Sequence, residues 1–188
     1  STPLPREELA QIDGIVILGA GTSHYAAMVA RYWIEALARV PVTCEIASEY
    51  RYRKPVTGAF SCAIAISQSG ESLDTLMAMR HAGEAGLKTI GLVNVPGSTI
   101  AREADLVMPT RAGPEIGVAS TKAFTAQLTA LISFATALAE AKDAIDTARR
   151  DEIHAQIQKL PSMVGRALAS FDEIRPIAHE LTTARSAL

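Results

Sequence analysis

Residues 61–72 read Ser-Cys-Ala-Ile-Ala-Ile-Ser-Gln-Ser-Gly-Glu-Ser. An apolar run of strand length gives way to hydroxyls around a glycine, then to a helical stretch at about 71–85 that stops near Gly86. Near-continuous hydrophobicity is the mark of a strand covered on both faces, and this exit predicts a strand–loop–helix unit. The same unit stands upstream, where 14–20 (Gly-Ile-Val-Ile-Leu-Gly-Ala) runs into a helical stretch at about 22–38. Three further strands are read at 42–47 behind Pro41, at 89–93 before Asn94-Val95-Pro96-Gly97, and at 106–108, with a short helix at 98–104. Strands alternating with helices predict a parallel sheet with right-handed crossovers. The fold class is therefore α/β, a three-layer αβα sandwich on a five-stranded parallel sheet of flavodoxin-like or Rossmann-like type.

In the first long helix Tyr25, Met28, Val29, Tyr32 and Trp33 recur at helical spacing and predict a core-facing stripe rather than a cofactor box. From about Val118 the pattern is helical to the end. Phe124, Leu128, Leu131, Ile132 and Leu138 form a broad face for the sheet, and later helices at 149–158, 162–169 and 171–182 are set apart by Pro161 and by the region of Ser170. The apolar stretch 123–139 is broken by Thr125, Gln127, Thr129, Ser133 and Thr136, so it reads as a buried helix rather than a membrane span. Residues 1–11 carry no apolar leader core. The chain ends on the apolar pair Ala187-Leu188 with no polar tail, which predicts a cut through a longer protein.

Composition narrows the function. The 188 residues are 48% hydrophobic and 20% charged, with 18 Lys and Arg against 20 Asp and Glu, so no basic field points to nucleic acid. Cys44 and Cys62 lie in strand-like runs and form neither a disulfide framework nor a CxxC pair. They read as small buried hydrophobes, which suits a reducing, cytoplasmic setting. His24, His81, His154 and His179 lack metal-ligand spacing. Neither a metal nor a cofactor is expected. Tyr50, Arg51, Tyr52 and Arg53 form a basic-aromatic cluster that reads as an interface or packed surface.

In an open α/β sheet ligands bind beyond the carboxyl ends of the strands, where strand order reverses. With order 2-1-3-4-5 that crevice lies between the first and third strands, and residues 19–23 and 67–72 lead out of them toward helix N-termini that favour an anion. Ser67, Ser69 and Ser72 bring three hydroxyls within six residues beside Gly70 and Gln68, which favours a phosphate over the alternative that Ser69 merely caps the helix. The first loop offers Gly19 and Gly21 but His24 where a dinucleotide fingerprint needs glycine, and no Walker A sequence exists. A third loop, 113–122, brings Ser120, Thr121 and Lys122 to a helix start. For Thr121 and Lys122 a cap and a solvated cation are the preferred reading.

Taken together, Gly-Ala-Gly-Thr-Ser at 19–23, residues 45–54 (EIASEYRYRK), SQSGES at 67–72, NVPGST at 94–99 and EIGVASTKAFTAQL at 115–128 resemble the sugar isomerase (SIS) domain of the glutamine–fructose-6-phosphate aminotransferase family. The likeness runs from about Gly14 to the end. It implies a first SIS subdomain, with 1–13 as an extension, 14–145 as the domain and 146–188 as helices leading toward a second SIS subdomain. It implies phosphate contacts from Ser67, Gln68, Ser69 and Ser72, where the family usually has threonine at the last position. It also implies that Thr22 and Ser23 line the sugar-phosphate site, Ala20 replacing a common cysteine, and that Val118 and Ser120 touch the sugar. His24 and Tyr25 depart from the family's order. The family joins a glutaminase domain to two SIS subdomains and works as a cytoplasmic dimer. Its proton-moving Glu, ring-opening His and Schiff-base Lys map to no residue here, so no catalytic residue is assigned. Another SIS amino-sugar-phosphate deaminase or isomerase, or a sugar-phosphate sensor, is the alternative.

Overall fold

In a computed structural model that describes residues 5–116 and 120–186, strands β1 (Ile15–Gly19), β2 (Val42–Ile46), β3 (Cys62–Ser67), β4 (Lys88–Val93) and β5 (Leu106–Pro109) form one sheet. Its order is β2-β1-β3-β4-β5 and every neighbouring pair is parallel. The crossovers are helices α2 (Thr22–Ala38), α3 (Ala47–Tyr50), α4 (Leu73–Glu84) and α5 (Thr99–Glu103), with α1 (Arg6–Ala10) before the first strand and α6 (Lys122–Ala141) after the last.

Alternation along each strand splits the apolar residues between two sides of the sheet. Ile15, Ile17, Cys62, Ile64, Ile66, Ile90 and Leu92 pack with Leu9 of α1, with Ala26, Ala30 and Ile34 of α2, and with Leu131, Phe134 and Leu138 of α6. Val16, Leu18 and Ala63 pack with Ala47 and Tyr50 of α3 and Ala78 and Ala82 of α4. Ala65, Leu76, Met79, Val93 and Ile100 fill a third, smaller cluster. The result is the three-layer sandwich expected from the sequence. Among the described residues α6 is the one helix long and apolar enough to cross a membrane, and here it packs into the core.

Two expectations need correction. The stripe predicted for α2 divides: Tyr25, Met28 and Tyr32 are exposed, Val29 is half-buried and Trp33 packs against the core, while the fully buried side is Ser23, Ala26, Ala27, Ala30, Ile34 and Ala38. Both stripes have helical spacing. The small residues win the inner side because they let α2 approach the sheet and α6 closely. In α6, Ile132 is only half-buried, and Phe134 is the large side chain at the sheet.

The chain divides into two compact units, Ser1–Arg150 and Asp151–Leu188. The second consists of most of α7 (Thr147–Ala169), α8 (Phe171–Glu180) and a single 3-10 turn, Leu181–Thr183. Neither helix buries a residue, and Leu168, Phe171, Ile174, Ile177 and Leu181 are exposed. Pro161 does not separate two helices as its sequence suggested; it lies inside α7. The carbonyl that loses its N–H partner there is on an exposed helix, where water replaces the bond.

Candidate functional site

The reversal of strand order falls between β1 and β3, which pair Ile17↔Ile64 and Leu18↔Ala65. Their carboxyl ends open at one edge, and a helix starts just beyond each. After β1 the chain turns at Gly21, with φ +55, which stands at the N-cap of α2 and leaves its first turn without a side-chain cap. Thr22 is exposed there and Ser23 is buried. The Ser23 Oγ accepts a hydrogen bond from Gln127 Nε2 of α6 at 3.1 Å, which brings the start of α6 to the first loop.

Beyond β3 the three serines share one arrangement. Ser67 Oγ accepts from the Gly70 N–H at 3.0 Å, and Ser69 Oγ accepts from the Glu71 N–H at 3.1 Å. Ser72 Oγ accepts from Thr75 Oγ1 at 3.2 Å. A hydroxyl has one proton to give. With each oxygen engaged as an acceptor, the three O–H groups keep their protons to donate. Ser72 holds the N-cap position of α4 yet makes no side-chain cap, so the N–H groups of that first turn are also uncapped by side chains. The positive end of α4 and three hydroxyl protons thus converge on one loop, a suitable setting for a multivalent anion. Glu71, within the same loop, is turned to the start of α5. Its carboxylate accepts the Thr99 N–H at 2.8 Å, and that bonding to Thr99 holds its carboxyl below the usual range.

The loop is backed by the segment after β4. Ile100 N–H donates to the Gly70 carbonyl at 3.0 Å, and Asn94 N–H to the Gln68 carbonyl at 3.1 Å; Gln68 itself is half-buried. Asn94 then reaches the approach to the third loop. Its Oδ1 accepts from Thr110 Oγ1 (3.1 Å) and Ala112 N–H (2.7 Å), and its Nδ2 donates to the Gly113 carbonyl (2.7 Å).

At the start of α6, Thr121 occupies the N-cap position without capping, and Lys122 is exposed. Glu115 does the capping: its carboxylate accepts the Ala123 N–H at 2.9 Å and the Thr121 hydroxyl at 3.1 Å. The bond from Ala123 is the main reason its carboxyl titrates below the ordinary value. Ser120 is half-buried, and its Oγ is sealed from solvent with no partner. Val118 lies outside the described residues. Ser67, Gln68, Ser69 and Ser72 are thus gathered in one loop, Thr22 and Ser23 open at the same sheet edge, and Ser120 sits beside the helix that touches Ser23.

Sequence reasoning passed over Asn94, Glu115 and Gln127. Gln127 had a visible signal, a polar residue on an apolar helical face. Asn94 looked like an ordinary turn residue, and Glu115 gave no local sign of its reach to α6. The basic-aromatic cluster is packed surface. Tyr50 is buried against His81 (5.9 Å, edge-on), Arg53 pairs with Glu45, and Arg51 lies over the Tyr52 ring at 4.5 Å. No group of three or more metal-ligating side chains occurs among the described residues.

The fold is a parallel αβα sandwich with an uncapped, serine-rich helix start at its switch point, and residues 8–137 match the SIS domain: this chain belongs to the SIS domain family. Within that class it is similar to the glutamine–fructose-6-phosphate aminotransferase (isomerizing) of Zymomonas mobilis, 50% identical over 186 residues, which are 99% of this chain and 31% of that protein. The Brucella abortus protein of the same name is 49% identical over 93% of this chain and 29% of its own length. The solved C-terminal domain of glucosamine-fructose-6-phosphate aminotransferase from Francisella tularensis superposes with a TM-score of 0.90 at 39% identity, covering 95% of this chain and 50% of that one. The chain therefore spans about a third of the length of the curated relatives it matches.

Proposed function

We propose that this chain is the sugar-phosphate-binding lobe of an enzyme that forms glucosamine 6-phosphate from fructose 6-phosphate and glutamine. The observation that carries the reading is the loop beyond β3, where Ser67, Ser69 and Ser72 accept from the chain and keep their protons for an anion. In this reading those hydroxyls, Gln68 and the first turn of α4 hold the phosphate. Thr22 and Ser23 line the opposite side of the crevice, and Val118 and Ser120 meet the sugar. The names of the relatives supply the substrate class.

The lobe's contribution is position. A phosphate fixed at one end of the sugar places the reacting carbons at the other, and binding energy gained far from the chemistry offsets the entropy of orienting them. Proton transfer at C1 and C2 and the delivery of ammonia belong to the glutaminase and second SIS domains, as partners in a cytoplasmic homodimer.

Calorimetric titration with fructose 6-phosphate, with fructose as the control, tests this on the wild type and on Ser67→Ala/Ser69→Ala. Two hydrogen bonds to a charged group predict a loss of about a hundredfold in the double variant. Equal affinity for fructose, or no loss in a folded double variant, would sink the reading.

A further inference from the structure

We propose that Gln127 reads a hydroxyl of the bound sugar while it holds Ser23 as a donor, so that the site separates a sugar phosphate from phosphate alone. This rests on the sugar-phosphate reading above. Gln127 is 1% exposed in α6, on a face otherwise made of Ala123, Leu131 and Phe134. An apolar side chain would satisfy the packing there, so packing does not account for an amide.

Its two ends are in different states. Nε2 donates to Ser23 Oγ at 3.1 Å, whereas Oε1 is sealed from solvent with no partner among the described residues. Buried carbonyl oxygens are nearly always paired, and an orphan calls for a partner that arrives later. The amide also fixes the direction of the Ser23 bond. Because the Ser23 oxygen accepts, its proton is left for the ligand.

The chemistry of the orphan says which part of the ligand it meets. A carboxamide oxygen only accepts, and the dianion of a phosphate monoester has no proton to offer it. A sugar hydroxyl does. Ser120, just upstream on the same segment, also has a buried hydroxyl without a partner, so two unpaired groups stand at the start of α6. That combination suits the polyhydroxyl part of the ligand, while the loop beyond β3 suits its charged end.

The test titrates wild type, Gln127→Met and Gln127→Glu with fructose 6-phosphate and with methyl phosphate, a monoester that carries no hydroxyl. Methionine keeps the length and bulk of the side chain and removes both hydrogen-bonding functions. It is expected to weaken fructose 6-phosphate about tenfold and methyl phosphate by less than about threefold. Glutamate keeps an acceptor but sets a negative charge beside Ser23, so both anionic ligands weaken together and their ratio stays near that of the wild type. The ratio is taken on one preparation, so it does not depend on the fraction folded. If Gln127→Met leaves the ratio unchanged, or Gln127→Glu alters it, the inference fails while the sugar-phosphate reading stands. A wild type that does not bind fructose 6-phosphate removes that reading, and this inference with it.

Discussion

A Cβ placed on Gly70 would fall on the Oγ of Ser98, and Gly70 itself adopts φ +68. Ser98 is 2% exposed and its hydroxyl has no partner among the described residues, while its backbone is held by Val95 and Arg102. Gly70→Ala therefore meets both a backbone penalty of about 1–2 kcal/mol and a collision. Together these are expected to lower the thermal midpoint by about 5–10 °C. Gly86→Ala, at φ +89 with open space around it, carries only the backbone part and should lower it by about 2–4 °C. Scanning calorimetry of both decides the matter; equal shifts would mean that Ser98 gives way.

Acid should weaken the fold through carboxylates that the chain itself engages. Asp105 accepts from Thr89 N–H at 2.7 Å and Thr89 Oγ1 at 2.8 Å, which holds its carboxyl below the ordinary 3.8. Glu115, held by Ala123, lies below the ordinary 4.5. A folded-state value depressed in this way adds stability that is complete well above those ordinary values. That stability is lost as the pH falls through the lower, folded ones. Urea midpoints are expected to be level from neutral pH to about pH 5.5 and to fall below it. Asp105→Asn should be less stable than wild type at pH 7 and lose less on acidification. An unchanged acid slope in that variant would refute the assignment.

The two thiols should differ in reach but share low reactivity. Burial pushes the Cys62 thiol up to about 12 and the Cys44 thiol up to about 11, so both are protonated at pH 8. Iodoacetamide labelling followed by mass spectrometry should modify the half-buried Cys44 slowly, and the buried Cys62 only on unfolding. Labelling of both at one rate in native buffer would contradict the packing of β3.

Pro161→Ala is expected to strengthen α7. A proline inside a helix costs about 3 kcal/mol relative to alanine, and here no side chain around it is buried. The variant should show greater ellipticity at 222 nm and slower hydrogen exchange in residues 151–169. No gain in either would place a compensating feature around Pro161.

The strands were legible because burial on both faces writes itself as uninterrupted apolar runs. β1 to β5 fall within a residue or two of the runs at 14–20, 42–47, 61–67, 89–93 and 106–108. The serines of the β3 exit were legible because hydroxyls cluster where an apolar strand ends. What failed was the choice of face on α2. Two stripes of equal periodicity compete there, and the larger residues attract attention while the alanines make the contact. Gln127 and Asn94 were hidden for another reason. Their partners Ser23 and Gly113 come from other segments of the chain, and only the folded arrangement pairs them.

The alanine face of α2 has a mechanical consequence. Ala26, Ala27 and Ala30 are wholly enclosed, and the helix is a rod of 17 residues, about 25 Å long. A single added methylene on that side cannot be absorbed by a side chain swinging aside, so the whole rod must tilt. Thr22 and Ser23 ride on its first turn. A substitution two turns away, remote from any ligand, would thus swing the crevice wall like the short arm of a lever, while Tyr25 and Tyr32 on the outer side can be exchanged without moving it.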